Sequence, residues 1–190
     1  MRGLAEQLAE YENVAVACSF QKEESVLLDL VLEARPDARV FTIDTGVLFA
    51  ETLATWRAFE EHFGVAVEVF EARGNWTAAD CCGVAKVAAL EAAVAGADCW
   101  VTGLRREQAP TRTDIEELAY DERFGLWKAN PLAAWTEQDL WKRIHARGLP
   151  YHPLHAAGYA SIGCVPCTAP GTGREGRWAD SEKTECGLHA

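Results

Sequence analysis

The sequence Gly163-Cys164-Val165-Pro166-Cys167 determines how the rest of this chain has to fold. A Cys-x-x-Cys turn directs two thiolates at one centre, whereas tetrahedral coordination by sulfur needs four. The missing pair is predicted to be Cys81-Cys82, far upstream. If both pairs bind one inorganic centre, the chain between them must fold back to bring them together. Any catalytic residue in the short tail after Cys167 then lies close to that centre.

The adjacent pair indicates which kind of centre to expect. The side chains of Cys81 and Cys82 diverge along a helix or a strand, so their thiolates chelate a single zinc ion poorly. An iron–sulfur cubane offers several iron corners, and neighbouring cysteines can each bind a different one. This favours a 4Fe-4S cluster over zinc. In the alternative interpretation, Cys82 is a small buried hydrophobic residue, and Cys164 and Cys167 form a redox pair.

Length and composition indicate one globular domain. The chain has 190 residues, of which 49% are hydrophobic and 25% charged, and a chain of this size can bury a substantial core. Its start lacks the apolar run of a signal peptide, and no stretch approaches the ~18 apolar residues that span a bilayer. We therefore expect a cytoplasmic protein whose cysteines serve metal binding or catalysis rather than disulfides.

The charge distribution favours a small anionic ligand over a polyanionic partner. A formal net charge of −11 argues against binding to nucleic acid or to an anionic membrane. Several arginines nevertheless lie near the motifs, and they could form a basic pocket or could be scattered on a solvated face. These are Arg105, Arg106, Arg112, Arg174 and Arg177.

Strand-like apolar runs alternate with segments of helical periodicity in the first half of the chain. Strands are predicted at residues 13–18, 39–44, 65–70 and 99–102. Helices are predicted after Ser25, through Leu53 and Phe63 with an end at Gly64, and from about Asp80 to Ala95. This alternation predicts an α/β fold with a mostly parallel sheet flanked by helices.

Polar loops follow three of these strands, where ligands bind in parallel sheets. The loops begin at Ser19, at Asp44-Thr45-Gly46 and at Gly103. The loop from Ser19 to Ser25 could present backbone N–H groups to a phosphate at a helix N-terminus. It contains no glycine, however, so a plain strand-to-helix turn is the alternative.

The pattern changes in the second half of the chain. Thr136 and Asp139 resemble a capping pair, which opens a helix through Ile144 that ends at Gly148. After Tyr151 the chain is rich in glycine, proline and polar residues and has little periodicity. We therefore expect irregular structure around the Cys-x-x-Cys turn.

The remaining cysteines differ in context. Cys18 and Cys99 lie inside apolar strands and are predicted to be core residues. Cys186 lies in a glycine-containing tail with His189 three positions later, and a neighbouring cation lowers the pKa of a thiol and raises its thiolate fraction. Cys186 is therefore a candidate reactive thiol. The alternative is an incidental cysteine in a disordered terminus.

Together these motifs resemble the adenylyl-sulfate reductases of the APS/PAPS reductase family, of the assimilatory type that carries an iron–sulfur cluster. The resemblance extends from about Val14 to the C-terminus. It is carried by Cys81-Cys82 with Lys86, Gly103-Leu104-Arg105-Arg106-Glu107-Gln108 with Arg112, Ser161-Ile162-Gly163-Cys164-Val165-Pro166-Cys167, Arg174-Glu175-Gly176-Arg177-Trp178, and Glu185-Cys186-Gly187-Leu188-His189.

The resemblance implies an adenine-nucleotide α-hydrolase-like, Rossmann-like fold with the nucleotide at the strand ends. It implies a single domain, with an α/β core over about residues 13–167 and a mobile catalytic tail over residues 168–190. One 4Fe-4S cluster per chain is expected on Cys81, Cys82, Cys164 and Cys167. The expected substrate-binding residues are Ser19, Lys86, Arg105, Arg112, Arg174, Arg177 and His189.

The resemblance also implies the reaction. Cys186 is expected to attack the sulfur of adenylyl sulfate, expelling AMP and leaving an S-sulfocysteine. Thioredoxin (or glutaredoxin) then releases sulfite for cysteine biosynthesis. The cluster serves structure and electrostatics, because the thiol and its reductant supply both electrons. A homo-oligomer is compatible with the sequence.

Three other functions are compatible with parts of the pattern. The first is reduction of phosphoadenylyl sulfate, which carries an additional 3′-phosphate. The second is an adenylating enzyme of the ATP-pyrophosphatase type, but its Ser-Gly-Gly-x-Asp-Ser loop is absent from the stretch that begins at Ser19, and Cys186 has no role in such an enzyme. The third is a zinc-stabilised nucleotide-binding protein, which is colourless when purified.

Overall fold

A six-stranded sheet with helices around it organises the protein. The computed structural model describes residues 3–74, 83–178, 183, 185 and 188. The strands are β1 (Val14–Ala17), β2 (Arg39–Asp44), β3 (Glu68–Glu71), β4 (Cys99–Val101), β5 (Leu118–Asp121) and β6 (Leu126–Ala129). The α-helices are α1 (Leu4–Leu8), α2 (Lys22–Ala34), α3 (Ala50–Phe63), α4 (Val84–Val94) and α5 (Glu137–Arg147).

The sheet order is β3-β2-β1-β4-β6-β5. All neighbouring strands are parallel except β5 and β6, which form an antiparallel hairpin at the edge. The predicted α/β fold with a mostly parallel sheet is therefore confirmed. Of the described helices, none is long and apolar enough to cross a membrane.

The central strands are buried on both faces, which explains their uninterrupted apolar sequences. Strand β1 pairs with β2 on one side and with β4 on the other, and Val14 lies opposite Cys99 in the register. Cys18 and Cys99 are both buried, as predicted. Burial raises the pKa of both thiols, that of Cys99 to about 12, so neither is a ready source of thiolate.

The predicted helix ends at Gly64 and Gly148 are confirmed. Both glycines have left-handed backbone conformations, with φ of 66° and 61°, which glycine adopts without steric cost. The predicted cap of α5 is also present, since Asp139 N–H donates to Thr136 Oγ1 at 3.1 Å and Thr136 N–H donates to Asp139 Oδ2 at 3.0 Å.

The start of the third strand differs from the prediction. The third strand begins at Glu68, later than the start predicted at residue 65. The described part of the fourth helix begins at Val84, with Gly83 at its N-cap. The predicted start near Asp80 lies outside the described residues.

The segment after α5 has little regular structure, yet it crosses the carboxyl edge of the sheet. Val165 N–H donates to the carbonyl of Val47 at 2.9 Å, and Leu48 forms an isolated bridge with Cys164. A further bridge joins Thr168 and Arg177. The Cys-x-x-Cys turn is thereby held against the loop that connects β2 and α3.

Candidate active site

A cavity of about 170 Å³ opens at the carboxyl ends of β1, β2 and β4. Ser19, Ile43 and Gly103, which lie at the ends of these three strands, all contribute to its wall. The loop from Asp44 to Gly46 lies beside the cavity instead of lining it. This is the sheet edge at which the sequence predicts a ligand.

The Ser19 loop forms an internally bonded turn between β1 and α2. Ser19 Oγ donates to Glu24 Oε2 at 2.8 Å, and Gln21 N–H donates to the same oxygen at 3.0 Å. Lys22 N–H donates to His155 Nε2 at 3.1 Å. The N-terminal N–H groups of Gln21 and Lys22 therefore already have protein partners. This geometry favours the plain turn over the phosphate-binding loop.

A buried carboxyl group forms part of the cavity wall. Burial, followed by repulsion from Glu23, raises the pKa of Glu24 to about 7. Its side chain packs against Gly103, where an added Cβ would lie 2.7 Å from Glu24 Oε1. The glycine therefore leaves the space that this carboxyl group occupies.

Phe20 has a conformation that sequence reasoning missed. Its φ of 61° is unusual for a residue other than glycine. The ring is buried and stacks on Trp56 at 5.2 Å between centroids, with Phe59 edge-on at 5.7 Å. Aromatic packing thus offsets the backbone strain. The sequence signal is a phenylalanine at a turn position whose left-handed backbone conformation favours glycine.

Cys164 and Cys167 form a buried pair of thiols. Their exposed fractions are 2% and 4%, and Cys167 N–H donates to the carbonyl of Cys164 at 3.1 Å. Thr45 Oγ1 lies 3.2 Å from Cys164 Sγ, and an Arg177 nitrogen lies 3.8 Å from Cys167 Sγ. A hydroxyl and a cation beside the sulfurs suit thiolates, the ligands of zinc and iron–sulfur centres.

The other predicted ligands, Cys81 and Cys82, lie outside the described residues. No group of three His, Cys, Asp or Glu side chains that could hold a metal occurs within the described ranges. Those ranges contain only two of the four proposed cysteine ligands. The pair at Cys164 and Cys167 is therefore half of a suitable donor set.

Arg177 links the cysteine pair to the cavity, which its side chain also lines. Its guanidinium lies 4.4 Å from the centre of the Trp178 ring and donates to the carbonyl of Ile162 at 3.4 Å. An added Cβ at Gly163 would collide with this guanidinium. Gly163 therefore provides the room that Arg177 needs beside Cys167.

Two further arginines bind the C-terminal tail. Arg112 and Arg174, both lining the cavity, donate to the carboxylate of Glu185. Arg112 Nε lies 3.0 Å from Oε2, and an Arg174 terminal nitrogen lies 2.7 Å from Oε1. Thr111 Oγ1 adds a hydrogen bond to Oε2 at 3.3 Å. The tail is thus attached to the wall of the cavity.

A second contact point lies three residues further along the tail. Leu188 lines the cavity and packs both against the core cluster that contains Phe41 and Trp100 and against the cluster of the cysteine turn. Cys186 and His189 lie outside the described residues. Cys186 is nevertheless flanked by two residues, Glu185 and Leu188, that both contact the cavity wall.

The other predicted substrate-binding residues differ in position. Lys86, on α4, lines the cavity. Arg105 is buried and does not line it; its guanidinium donates to Glu23 Oε1 at 3.0 Å and to Glu107 Oε2 at 2.8 Å. Arg105 therefore pairs with the buried carboxylate of Glu23 and the exposed carboxylate of Glu107 instead of facing the cavity.

The fold and the site place this chain among α/β proteins with a cavity at the carboxyl edge of the sheet, and the arginines that line the cavity suit a small anionic ligand. The model of the phosphoadenosine phosphosulfate reductase domain matches residues 13–170. The adenosine 5′-phosphosulfate reductase of Geobacillus kaustophilus is 39% identical over 98% of this chain and 88% of its own length. The chain therefore belongs to the APS/PAPS reductase family.

Solved structures agree in fold. The phosphoadenylyl-sulfate reductase of Candida auris has a TM-score of 0.74 at 22% identity, over 88% of this chain and 91% of that chain. An FMN adenylyltransferase of Candida glabrata has a TM-score of 0.72 at 16% identity, over 88% and 61%. At these identities the likeness concerns the fold alone.

Proposed function

We propose that this protein reduces adenylyl sulfate to sulfite and AMP in sulfate assimilation, with thioredoxin as the reductant and Cys186 as the nucleophile. The observation that carries the proposal is the position of the tail. Glu185 and Leu188, on either side of Cys186, both contact walls of the cavity at the strand ends. Family membership supplies the substrate, because the curated relatives are named for adenosine 5′-phosphosulfate.

In the first half-reaction, the thiolate of Cys186 attacks the sulfur of the sulfate group. A sulfur–sulfur bond forms while the bond from sulfur to the bridging oxygen breaks. AMP leaves with that electron pair, and Cys186 becomes an S-sulfocysteine. Because the reacting sulfur carries anionic oxygens that repel a thiolate, cations have to neutralise them. Lys86, Arg112, Arg174, Arg177 and His189 are proposed to do so.

In the second half-reaction, a thiolate of the reductant attacks the Cys186 sulfur and sulfite leaves with the bonding pair. The second thiol of the reductant then attacks the mixed disulfide, which restores the Cys186 thiolate and oxidises the reductant to its disulfide. The two electrons gained by sulfur therefore come from the dithiol. Glutaredoxin, also a dithiol protein, is the alternative reductant.

We further propose that Cys81, Cys82, Cys164 and Cys167 hold a 4Fe-4S cluster. The buried pair Cys164 and Cys167, with a hydroxyl and a guanidinium beside its sulfurs, fits this group. When bound, the cluster supplies structural cross-linking and a local electrostatic field. Arg177 lies beside Cys167 and also lines the cavity, so it connects the two sites.

The test is a single-turnover experiment on anaerobically purified protein. Without thiol, adenylyl sulfate should yield about one AMP per active chain and then no more, as covalent catalysis requires. Mass spectrometry should find one sulfo group on the Cys186 peptide, and thioredoxin should release it as sulfite. Cys186→Ser should give no AMP burst, whereas Cys99→Ser, in the core, should retain it.

Two outcomes would contradict the proposal. A normal AMP burst from Cys186→Ser, or a sulfo group on another cysteine, excludes Cys186 as the nucleophile. A higher kcat/KM for the 3′-phosphorylated nucleotide than for adenylyl sulfate would assign the protein to phosphoadenylyl-sulfate reduction instead.

A further inference from the structure

The tail carboxylate Glu185 lies in a second cavity, beside the first. This cavity has a volume of about 210 Å³, and Arg112 contributes to the walls of both. Lys128 and Asn130, on or next to the β5–β6 hairpin, line its other side. The carboxylate thus binds an arginine that the two cavities share.

Three cationic side chains surround this carboxylate. Arg112 and Arg174 bind it directly. Lys128 lines the same cavity; burial lowers its pKa to about 8, and the Glu185 carboxylate is among the groups that oppose this lowering. The side chains of Glu185 and Arg174 are each 14% exposed, and that of Arg112 is 6% exposed. Ion pairs with so little solvent contact are weakly screened by salt and sensitive to loss of one partner.

The tail also contacts the protein beyond Glu185. Leu188, three residues later, packs on the apolar wall of the first cavity. The tail therefore makes a polar contact at the residue before Cys186 and an apolar contact two residues after it.

We infer that Glu185 is a positioning residue for Cys186, because its carboxylate binds Arg112 and Arg174 and so attaches the tail to the cavity wall at the residue before the proposed nucleophile. This inference rests on the proposed function for its kinetic consequence, but the anchoring itself is independent of any substrate. Glu185 touches no reacting atom. Its role is to raise the fraction of molecules in which the tail is docked.

The first test measures docking without substrate. Trypsin cleaves after Lys183, which lies in the tail beside the anchor, and cleavage requires the tail to leave the surface. Glu185→Gln keeps the side-chain shape and removes the charge, so cleavage after Lys183 should become at least about fivefold faster because the open fraction rises. Glu175→Gln, an exposed tail carboxylate bonded to Thr172, should cleave like the unaltered protein.

The second test separates positioning from substrate binding. At saturating adenylyl sulfate, Glu185→Gln should slow single-turnover AMP release by about tenfold or more. In a Cys186→Ser background, where no reaction occurs, the same change should leave the Kd for adenylyl sulfate within about twofold.

The outcomes distinguish the inference from the proposed function. Unchanged tryptic cleavage after Lys183 in Glu185→Gln overturns the anchor, whatever the enzyme does. A tighter Kd with an unchanged single-turnover rate also overturns it, because Glu185 would then compete with the substrate. Faster cleavage in a protein that releases no AMP from adenylyl sulfate keeps the anchor and rejects the proposed function.

Discussion

At the residue scale, the position of Arg177 depends on the absence of a side chain at Gly163. Its guanidinium occupies the space that a Cβ at Gly163 would need, beside Cys167. Arg177 Nε is buried without a hydrogen-bond partner among the described residues. The contacts with the Trp178 ring and the cysteine sulfur therefore account for much of how this cation is held.

Gly163→Ala should displace Arg177 and destabilise the protein by about 1–3 kcal/mol, the usual cost of overpacking. The melting temperature should fall, and the iron content of anaerobic protein should fall with it. Gly3→Ala, where an added Cβ meets nothing within 4 Å, is the control. In an Arg177→Ala background the glycine substitution should have little further effect; an equal loss there would show that the guanidinium is not the obstacle.

At the same scale, His152 makes the free energy of unfolding depend on pH. His152 is fully buried, with Nε2 2.9 Å from Thr52 Oγ1 and Nδ1 accepting from Leu154 N–H at 3.3 Å. Burial lowers its pKa to about 4. Because the folded state favours the neutral ring, this stabilisation is complete above the unfolded pKa of about 6.5 and is lost as pH falls from there towards 4.

The free energy of unfolding should therefore fall by up to about 3 kcal/mol between pH 6.5 and 4 on account of His152. Denaturant titrations of His152→Gln should show a weaker dependence over this range, since glutamine has no proton to gain. His62→Gln, at an exposed position, is the matched control. Equal slopes for all three proteins would rule out His152 as the source.

At the scale of helices and strands, short sequence patterns predicted those features that depend on neighbouring residues in the chain. The ends of α3 and α5 follow from Gly64 and Gly148, which adopt the left-handed conformation. The apolar runs of β1, β2 and β4 were recognised because parallel strands are buried on both faces. The hairpin β5–β6 was missed, because its strands are four residues each and half exposed, so they carry little apolar periodicity.

Side-chain contacts between residues far apart in sequence account for other features that the sequence did not indicate. Arg105 matched the substrate-binding motif, yet its partner Glu23 is 82 positions away in sequence, and only the folded chain brings them together. The attachment of Glu185 to Arg112 spans 73 positions. Residue types and spacing suggested a cationic site, but which cations face the cavity depends on such pairs.

The cap of α5 gives a prediction at this scale. Thr136→Ala removes the side-chain oxygen that accepts from Asp139 N–H and should cost about 1 kcal/mol. Thr136→Ser keeps that oxygen and should cost much less. Denaturant midpoints of the two variants provide the comparison, and equal losses would mean that the methyl group, and not the cap, stabilises the helix.

At the scale of the whole molecule, we expect both cysteine pairs to be needed for the proposed cluster. Anaerobic protein should be brown and contain about four iron and four acid-labile sulfide per chain. Cys164→Ser should lose colour and activity, whereas Cys18→Ser, which alters a thiol that burial keeps protonated, should keep the colour. Stoichiometric zinc without iron would reject the cluster.

Because the last third of the chain crosses the sheet edge, its contacts with the first strands can form only late in synthesis. Thr45 meets Cys164 across 119 positions, and Lys22 Nζ binds the carbonyl of Ala160 across 138. During synthesis the N-terminal strands emerge first, so β1, β2 and β3 leave the ribosome long before the cysteine turn exists. The cluster proposed for this turn can therefore be assembled only after translation has passed Cys167, and a shorter nascent chain carries only Cys81 and Cys82 of the four proposed ligands.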